Sequence, residues 1–388
     1  MRPLRVAQLT YSVKPRGGVV HAIAVAEALA ARGHATELLG VGPPGARFFR
    51  TPAVPWRVVP HQAPDAPFDA RIAACIHDYR EGLRPLLAGG RFDVVHAQDC
   101  ISANAALGLR EEGVIAEVVR TVHHVDDFRS PSLVACQRRS IVGPDLVLCV
   151  SAPWVTRLRE EFGVAAGLVR NGVDTARFRP PTGAERASAR AALGLGDRLA
   201  VLTVGGIEPR KGSLPLLEAF ARVRGALPRR DPVLLVAGGA TLFDYRDEVT
   251  RFTERRAALG LDDDVRLLGA LDDARLLALY HGADVFALPS TKEGFGLVAL
   301  EALACGLPLV ASALDVFASF LSDGSDAVMA PVGDAPALAD AIVRVEGDAE
   351  LRARLRTGGA QVVARHGWDA VAAAHERAYC ALAAAEAA

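Results

Sequence analysis

Short apolar runs alternate along the chain with longer stretches in which apolar side chains return every third or fourth position, the pattern of strands separated by amphipathic helices. In the first half the runs predict strands at Arg5 to Thr10, Thr36 to Val41, Asp93 to His96, Glu117 to Val122, Leu146 to Val150 and Leu168 to Arg170. A second set follows at Leu199 to Val204, Val233 to Ala237, Val265 to Leu268, Asp284 to Leu288, Leu307 to Ala311 and Ala327 to Met329. Short apolar strands alternating with helices predict an α/β fold, its mostly parallel sheets covered on both faces. A Pro-rich, charged stretch, Phe178 to Gly196, separates the two sets and is the expected interdomain linker. The expectation is two doubly wound domains, 1–177 and 197–367, joined by 178–196 and followed by a final helix over 368–388, with strand carboxyl ends facing each other across a cleft.

One junction carries the clearest chemistry. The run Asp284 to Leu288 ends at Pro289 and Ser290, and Leu297, Leu300 and Ala304 then keep helical spacing. Glu293, Gly294, Phe295, Gly296, Leu297 and Val298 therefore lie where a strand passes through a glycine-containing loop into a helix N-terminus. Such a junction directs free backbone N–H groups and the positive end of a helix dipole at the carboxyl edge of a sheet, a place for a diphosphate. Glu301 falls one helical turn past Leu297; a carboxylate there accepts hydrogen bonds and suits the hydroxyls of a nucleotide's sugar. Glu293 is placed to do the same for a second sugar. A buried helix entering a sheet between two solvated glutamates fits the Gly-Phe-Gly piece equally well, so the other loops decide.

Nearly all basic residues are arginine, and the three lysines, Lys14, Lys211 and Lys292, each sit in a glycine-containing loop after an expected strand. A compact, freely rotating charge suits a phosphate contact. Arg210 and Lys211 before Gly212 would oppose charge developing on a leaving diphosphate. His123 and His124 follow a strand of the first domain, and Asn171 to Asp174 has the composition of a tight turn.

Composition narrows the class. At 388 residues the chain holds two cores, and no apolar run reaches the roughly 18 to 20 residues that span a bilayer. The N-terminus enters a strand pattern directly, without a signal-peptide-type leader, so a cytoplasmic protein is expected. The six cysteines show no close pair, arguing against a zinc site or a disulfide framework and for small buried hydrophobes. A net charge of −1 gives no reason to expect nucleic acid. Asp262, Asp263 and Asp264 read as a solvated turn before a strand, not as a metal site.

Together these motifs resemble the family-4 retaining glycosyltransferases, nucleotide-sugar enzymes of the GT-B architecture built from two Rossmann-like domains, and the resemblance covers almost the whole chain. It implies that Gly17 and Gly18 form the first-strand glycine loop, that His123 lies near the transferred sugar, and that Asn171 to Asp174 with Phe178 and Pro180 forms the interdomain segment. It further implies that Lys211 contacts the diphosphate, Glu293 the donor sugar and Glu301 the ribose, with phosphate held by backbone N–H groups at Gly296 to Val298. Catalytic roles would thus fall to His123, Lys211 and Glu293. His366, Gly367 and Trp368 lead into a helix that, in this architecture, returns to the first domain. Lys14, Arg16 and His21 are expected on the acceptor side, which would suit a phosphorylated or acidic acceptor. No metal and no cofactor beyond the nucleotide sugar is implied. Retention would proceed with a donor phosphate oxygen taking the acceptor's proton, or, in the lesser variant, with Glu293 as nucleophile. The family's arginine after the glycine of the second domain's first loop is replaced here by Gly206, so either Arg210, beside Lys211, supplies the charge or the diphosphate is held more weakly. Asp273 would read a base edge or cap a helix before Ala274. A sugar-nucleotide epimerase of the same architecture and a non-catalytic nucleotide-binding partner are the alternatives.

Overall fold

The computed structural model describes residues 2–239 and 245–386. The chain forms two compact units, one of residues up to Gly172 together with those from Trp368 on, the other Val173–Gly367. The first holds β1 (Arg5–Thr10), β2 (Ala35–Gly42), β3 (Trp56–Pro60), β4 (Val94–Ala97), β5 (Val119–Val122), β6 (Leu146–Cys149) and β7 (Gly167–Leu168). They form one sheet in the order β3-β2-β1-β4-β5-β6-β7, and every pairing is parallel. The second holds β8 (Ala200–Val204), β9 (Val233–Ala237), β10 (Val265–Gly269), β11 (Val285–Leu288), β12 (Leu309–Ser312) and β13 (Val328–Ala330), ordered β10-β9-β8-β11-β12-β13 and also parallel.

All twelve runs read as strands are strands, because a sheet covered by helices on both faces selects uninterrupted apolar segments: every residue of β4, β5, β9, β11 and β12 is buried. The strand order reverses between β1 and β4 in one unit and between β8 and β11 in the other. At such a switch point the loops leaving the strands' carboxyl ends diverge and open a crevice. The loops after β1, β4, β8 and β11 are therefore the ones that matter for function.

The helix Trp368–Glu386 packs in the first unit, as expected, where Val371, Ala372 and Tyr379 share a core with Val25 and Leu29 of the helix Gly17–Ala31. Arg32 ties it down through Asp369 at 2.9 Å and Glu376 at 2.8 Å. Gly172 lies against Trp368, where an added Cβ would come within 2.8 Å of the indole.

Two expectations are corrected. β3 was not foreseen: it lies at the sheet edge, follows Pro55, ends on Pro60 and buries only Val59, so it lacks an apolar run. The stretch 178–196 is not a free linker. It holds the helix Gly183–Ala192, started by a capping box between Thr182 and Glu185. Arg186 and Arg190 of that helix pair with Asp284 at 2.6 and 3.1 Å, fixing it to the second unit. The chain passes between units at 172–173 and 367–368 instead.

Candidate active site

In the second unit, β8 runs into Gly205 and Gly206, then a single turn Pro209–Lys211, then the helix Ser213–Ala226. Gly212 joins turn to helix in the left-handed conformation, φ 65°, and a Cβ there would lie 2.0 Å from the carbonyl oxygen of Pro289. Only glycine lets the β8 and β11 loops approach this closely. The Thr291 N–H seals the contact by donating to the Arg210 carbonyl at 2.8 Å.

That approach brings Lys211 onto Glu293. The ammonium donates to Oε1 at 2.6 Å, with Lys211 only 14% and Glu293 7% exposed. Ser290 Oγ donates to the same oxygen at 2.9 Å, and Arg210 stands 3.7 Å from Oε2 while pairing with Glu208 at 3.1 Å. Burial alone would raise the Glu293 carboxyl, but Lys211 and Arg210 outweigh it and hold the group below its usual range. The Lys211 stem lies along Gly205, where a Cβ would come within 2.9 Å of Cε. Gly206, at φ 75°, faces Gly239, whose carbonyl oxygen would lie 3.0 Å from a Cβ. This tight, left-handed position suits glycine, and Arg210 is the second cation of the loop.

Past Glu293, Phe295 is buried and stacks on Phe320 at 4.7 Å. Gly296, φ 98°, starts the helix Leu297–Ala304 with no side-chain cap. The first-turn amides at Leu297 and Val298 have no carbonyl four residues back inside the helix, so they are available to an anion. Glu301, one turn on, accepts from the Tyr280 hydroxyl at 2.8 Å, and burial raises its pKa despite that bond. Tyr280 is fully buried and packs edge-on against Phe178 at 5.7 Å. Asp273 pairs with Arg177 at 2.9 Å, and the residue that caps the helix Asp273–Gly282 is Asp272, correcting the expected cap. Asp264 is buried and held by Arg198 and Arg224, at 2.6 and 2.7 Å, so that part of the triplet is an ion-pair anchor, not a solvated turn.

In the first unit, Gly17 and Gly18 open the helix after β1, and Gly18 lies against His123, with a Cβ placed 3.4 Å from the ring. His123 Nε2 is 2.9 Å from the Gln98 carboxamide oxygen, whose NH₂ donates to Gln8 at 2.8 Å. Nε2 of His123 is therefore the protonated donor. Burial, aided by the His21 ring 4.9 Å away, pushes its pKa well below the ordinary range and keeps it neutral. Lys14 is exposed, and Arg16 has a buried Nε with no partner among the described residues. His21 is corrected: it is fully buried, bonded through Nδ1 to Asn171 at 2.5 Å and packed beside Trp368 and His375, so it is core and not acceptor surface.

The structure thus gathers Arg210, Lys211, Glu293 and the Gly296–Val298 helix start in one unit and Gly18 with His123 in the other. Sequence reading missed their supports. Ser290, three residues before Glu293, is a local signal that was there to use; Tyr280 and Gln98 come from other elements and leave none. Cys75, Cys149 and Cys305 are buried as expected of small hydrophobes, whereas Cys100 and Cys136 are only partly buried and lie with their sulfurs 3.1 Å apart.

Comparison with known proteins identifies the family and the fold. Residues 15–177 match the family model described as Glycosyltransferase Family 4, and residues 185–362 match Glycosyl transferases group 1. The D-inositol 3-phosphate glycosyltransferase of Saccharomonospora viridis is 32% identical over 300 residues, 72% of this chain and 68% of the relative. The phosphatidyl-myo-inositol mannosyltransferase of Mycobacterium leprae is 30% identical over 382 residues, 95% and 94% of the two chains. Among solved structures, sucrose-phosphate synthase from Thermosynechococcus elongatus superposes with a TM-score of 0.83 at 24% identity, over 98% of this chain and 100% of that one. HepE of Anabaena in complex with UDP-glucose gives 0.79 at 19% identity, over 98% and 100%. The chain belongs to glycosyltransferase family 4, with the GT-B architecture. It is a glycosyltransferase, and among the described residues no helix is long and apolar enough to cross a membrane.

Proposed function

We propose that this enzyme moves a sugar, with retention at the anomeric carbon, from a nucleoside diphosphate sugar to a phosphorylated inositol, without a metal ion or further cofactor. The observation that carries the reading is the Lys211–Glu293 contact beside an uncapped helix N-terminus at the β8/β11 switch point. As the bond between sugar and phosphate breaks, negative charge grows on the departing diphosphate. Lys211, Arg210 and the amides of Leu297 and Val298 oppose that charge in place of a metal. A departing phosphate oxygen takes the acceptor's proton on the same face, which gives retention. Glu301, whose carboxylate accepts from the Tyr280 hydroxyl, receives ribose hydroxyls. In this reading Glu293 serves the donor sugar's hydroxyls, and His123, kept neutral by burial in the first unit, is the histidine assigned to that sugar.

The phosphorylated acceptor is supported by the names of the curated relatives and by Arg16, at the start of the helix Gly17–Ala31, whose buried Nε has no partner among the described residues. Lys14 adds an exposed cation in that loop. Thermal shift with UDP, GDP and ADP tests the donor side; a nucleotide at ~100 times its dissociation constant adds about 2.7 kcal/mol. Incubation with a panel of nucleotide sugars and inositol phosphate then separates the classes. A transferase releases nucleoside diphosphate only with a matched donor, an epimerase leaves the diphosphate attached, and a non-catalytic protein releases nothing.

A further inference from the structure

Away from the donor loops, the helix Cys100–Glu111 after β4 meets the helix Pro131–Val142 after the His123 loop. Where they cross, Cys100 Sγ and Cys136 Sγ are 3.1 Å apart, both only partly buried. The surroundings form a built site. Asn104 directs its NH₂ at the Cys136 carbonyl, 2.9 Å, and toward both sulfurs, 3.3 Å to Cys136 and 3.7 Å to Cys100. Its carboxamide oxygen accepts from Arg139 at 2.8 Å. Cys136 also lines an open groove of about 540 Å³ with Asn104, Arg139 and Ser132, giving a small oxidant a path to its sulfur.

We propose that Cys100 and Cys136 are a peroxide-responsive thiol pair that closes reversibly into a disulfide and clamps the base of the segment carrying His123. Cys136 is the attacking sulfur and Cys100 the resolving one. The Cys136 thiolate attacks one oxygen of hydrogen peroxide, the O–O bond breaks, and the departing hydroxide takes up a proton to leave as water. The resulting Cys136 sulfenic acid is then attacked by Cys100 sulfur as that thiol gives up its proton; the S–O bond breaks and a second water leaves. Two thiols are oxidised by two electrons and one peroxide is reduced to two waters.

The assignment of roles follows from position. Cys136 faces the groove with Arg139 nearby, whereas Cys100 sits directly after Asp99, whose carboxylate caps the helix. The thiol–thiol bond first, and Arg139 against the cost of burial, lower Cys136; the same bond and burial raise Cys100. The other cysteines are poorer targets: burial pushes Cys75 and Cys305 up to about 12 and Cys149 to about 11. A closed disulfide would tie Cys100, which opens the helix after Gln98, to the helix Pro131–Val142 that follows the His123 loop. Gln137, beside Cys136, already holds Asp126 of the intervening segment through bonds of 2.7 and 2.9 Å.

The test uses the full chain, reduced, freed of reductant and treated with hydrogen peroxide. Peptide mass spectrometry without reduction should find Cys100 joined to Cys136, two of the six thiols lost, and both restored by a dithiol. Hydrogen exchange across residues 123–130 should slow in the oxidised form. Cys136→Ser should abolish the reaction, and Cys100→Ser should leave a Cys136 sulfenic acid that a dimedone probe captures. Circular dichroism confirms that each serine variant is folded. Absence of the cross-link in folded, peroxide-treated protein, sulfenic acid appearing at Cys100 in Cys136→Ser, or unchanged exchange over 123–130 on cross-linking would overturn the proposal.

Discussion

Replacing Lys211 by methionine keeps the stem that lies along Gly205 and removes the charge facing Glu293. The carboxylate, 7% exposed, would then retain the Ser290 hydroxyl at 2.9 Å and Arg210 at 3.7 Å, the latter too far for a hydrogen bond. Breaking a buried ion pair from one side costs about 3 to 5 kcal/mol. Because Glu293 keeps partners of its own, Lys211→Met falls at or just below the lower end, roughly 2 to 3 kcal/mol. Burial, now poorly opposed, would raise the Glu293 carboxyl, so part of the cost disappears when the group is protonated. Adding Glu293→Gln should recover at least about 1 kcal/mol, a coupling expected for residues in direct contact. The three tryptophans, Trp56, Trp154 and Trp368, all belong to the first unit, so their fluorescence reports on the wrong part of the chain. Hydrogen exchange in peptides covering β8, β11 and the helix Leu297–Ala304 is the suitable assay. Turnover should fall by roughly 10² to 10³ as well, the scale for removing one group that opposes developing charge. Unchanged protection in Lys211→Met, with Glu293→Gln simply additive, would refute the buried pair as the organiser of these loops.

Glu301→Ala should weaken nucleoside diphosphate binding by about 1.5 to 3 kcal/mol, the value of hydrogen bonds to a charged group, in isothermal titration; equal affinity would remove Glu301 from the ribose site. Gly212→Ala should destabilise the second unit by more than about 2 kcal/mol, since strained backbone and a Cβ 2.0 Å from the Pro289 oxygen act together, whereas Gly225→Ala, with nothing within 4 Å, should be harmless. Stability should fall on acidification below about pH 6.5, the ordinary histidine value, because burial lowers His21 to about 3 and His375 to about 4, and holds His96 and His123 well below their usual range too. The unfolded chain then binds protons that the folded one refuses, at up to ~1.4 kcal/mol per pH unit for each histidine, and urea midpoints that stay level from pH 7 to pH 5 would contradict this.

The sequence made the sheet legible wherever burial on both faces leaves one apolar run, as at Val233–Ala237 and Val285–Leu288. It concealed β3 because an edge strand needs only Val59 inside. The linker reading failed for a related reason: proline and charge look alike in a hinge and in a helix fixed by ion pairs, and only the partner, Asp284, tells them apart. At the site, residues tied to local backbone events were readable. Gly212 and Gly296 mark left-handed starts of helices, and Glu293 and Glu301 flank Gly296 at short range. Partners across elements were not. Tyr280 meets Glu301, Gln98 meets His123, and Cys100 meets Cys136 through packing that no spacing announces. His21 misled because a histidine near a glycine loop looks like a ligand contact, although it lies on the inward face of its helix among other imidazoles.

The most direct test of the central claim is the anomeric configuration of the product. The enzyme, stripped of divalent cations with a chelator, is given the nucleotide sugar selected by the thermal-shift panel together with inositol phosphate, and the new glycosidic linkage is followed by proton NMR from the first turnover. The account predicts stoichiometric release of nucleoside diphosphate and a product with the anomeric configuration of the donor, at a rate that restored magnesium leaves unchanged. An inverted product, or transfer that appears only with the metal present, would contradict it.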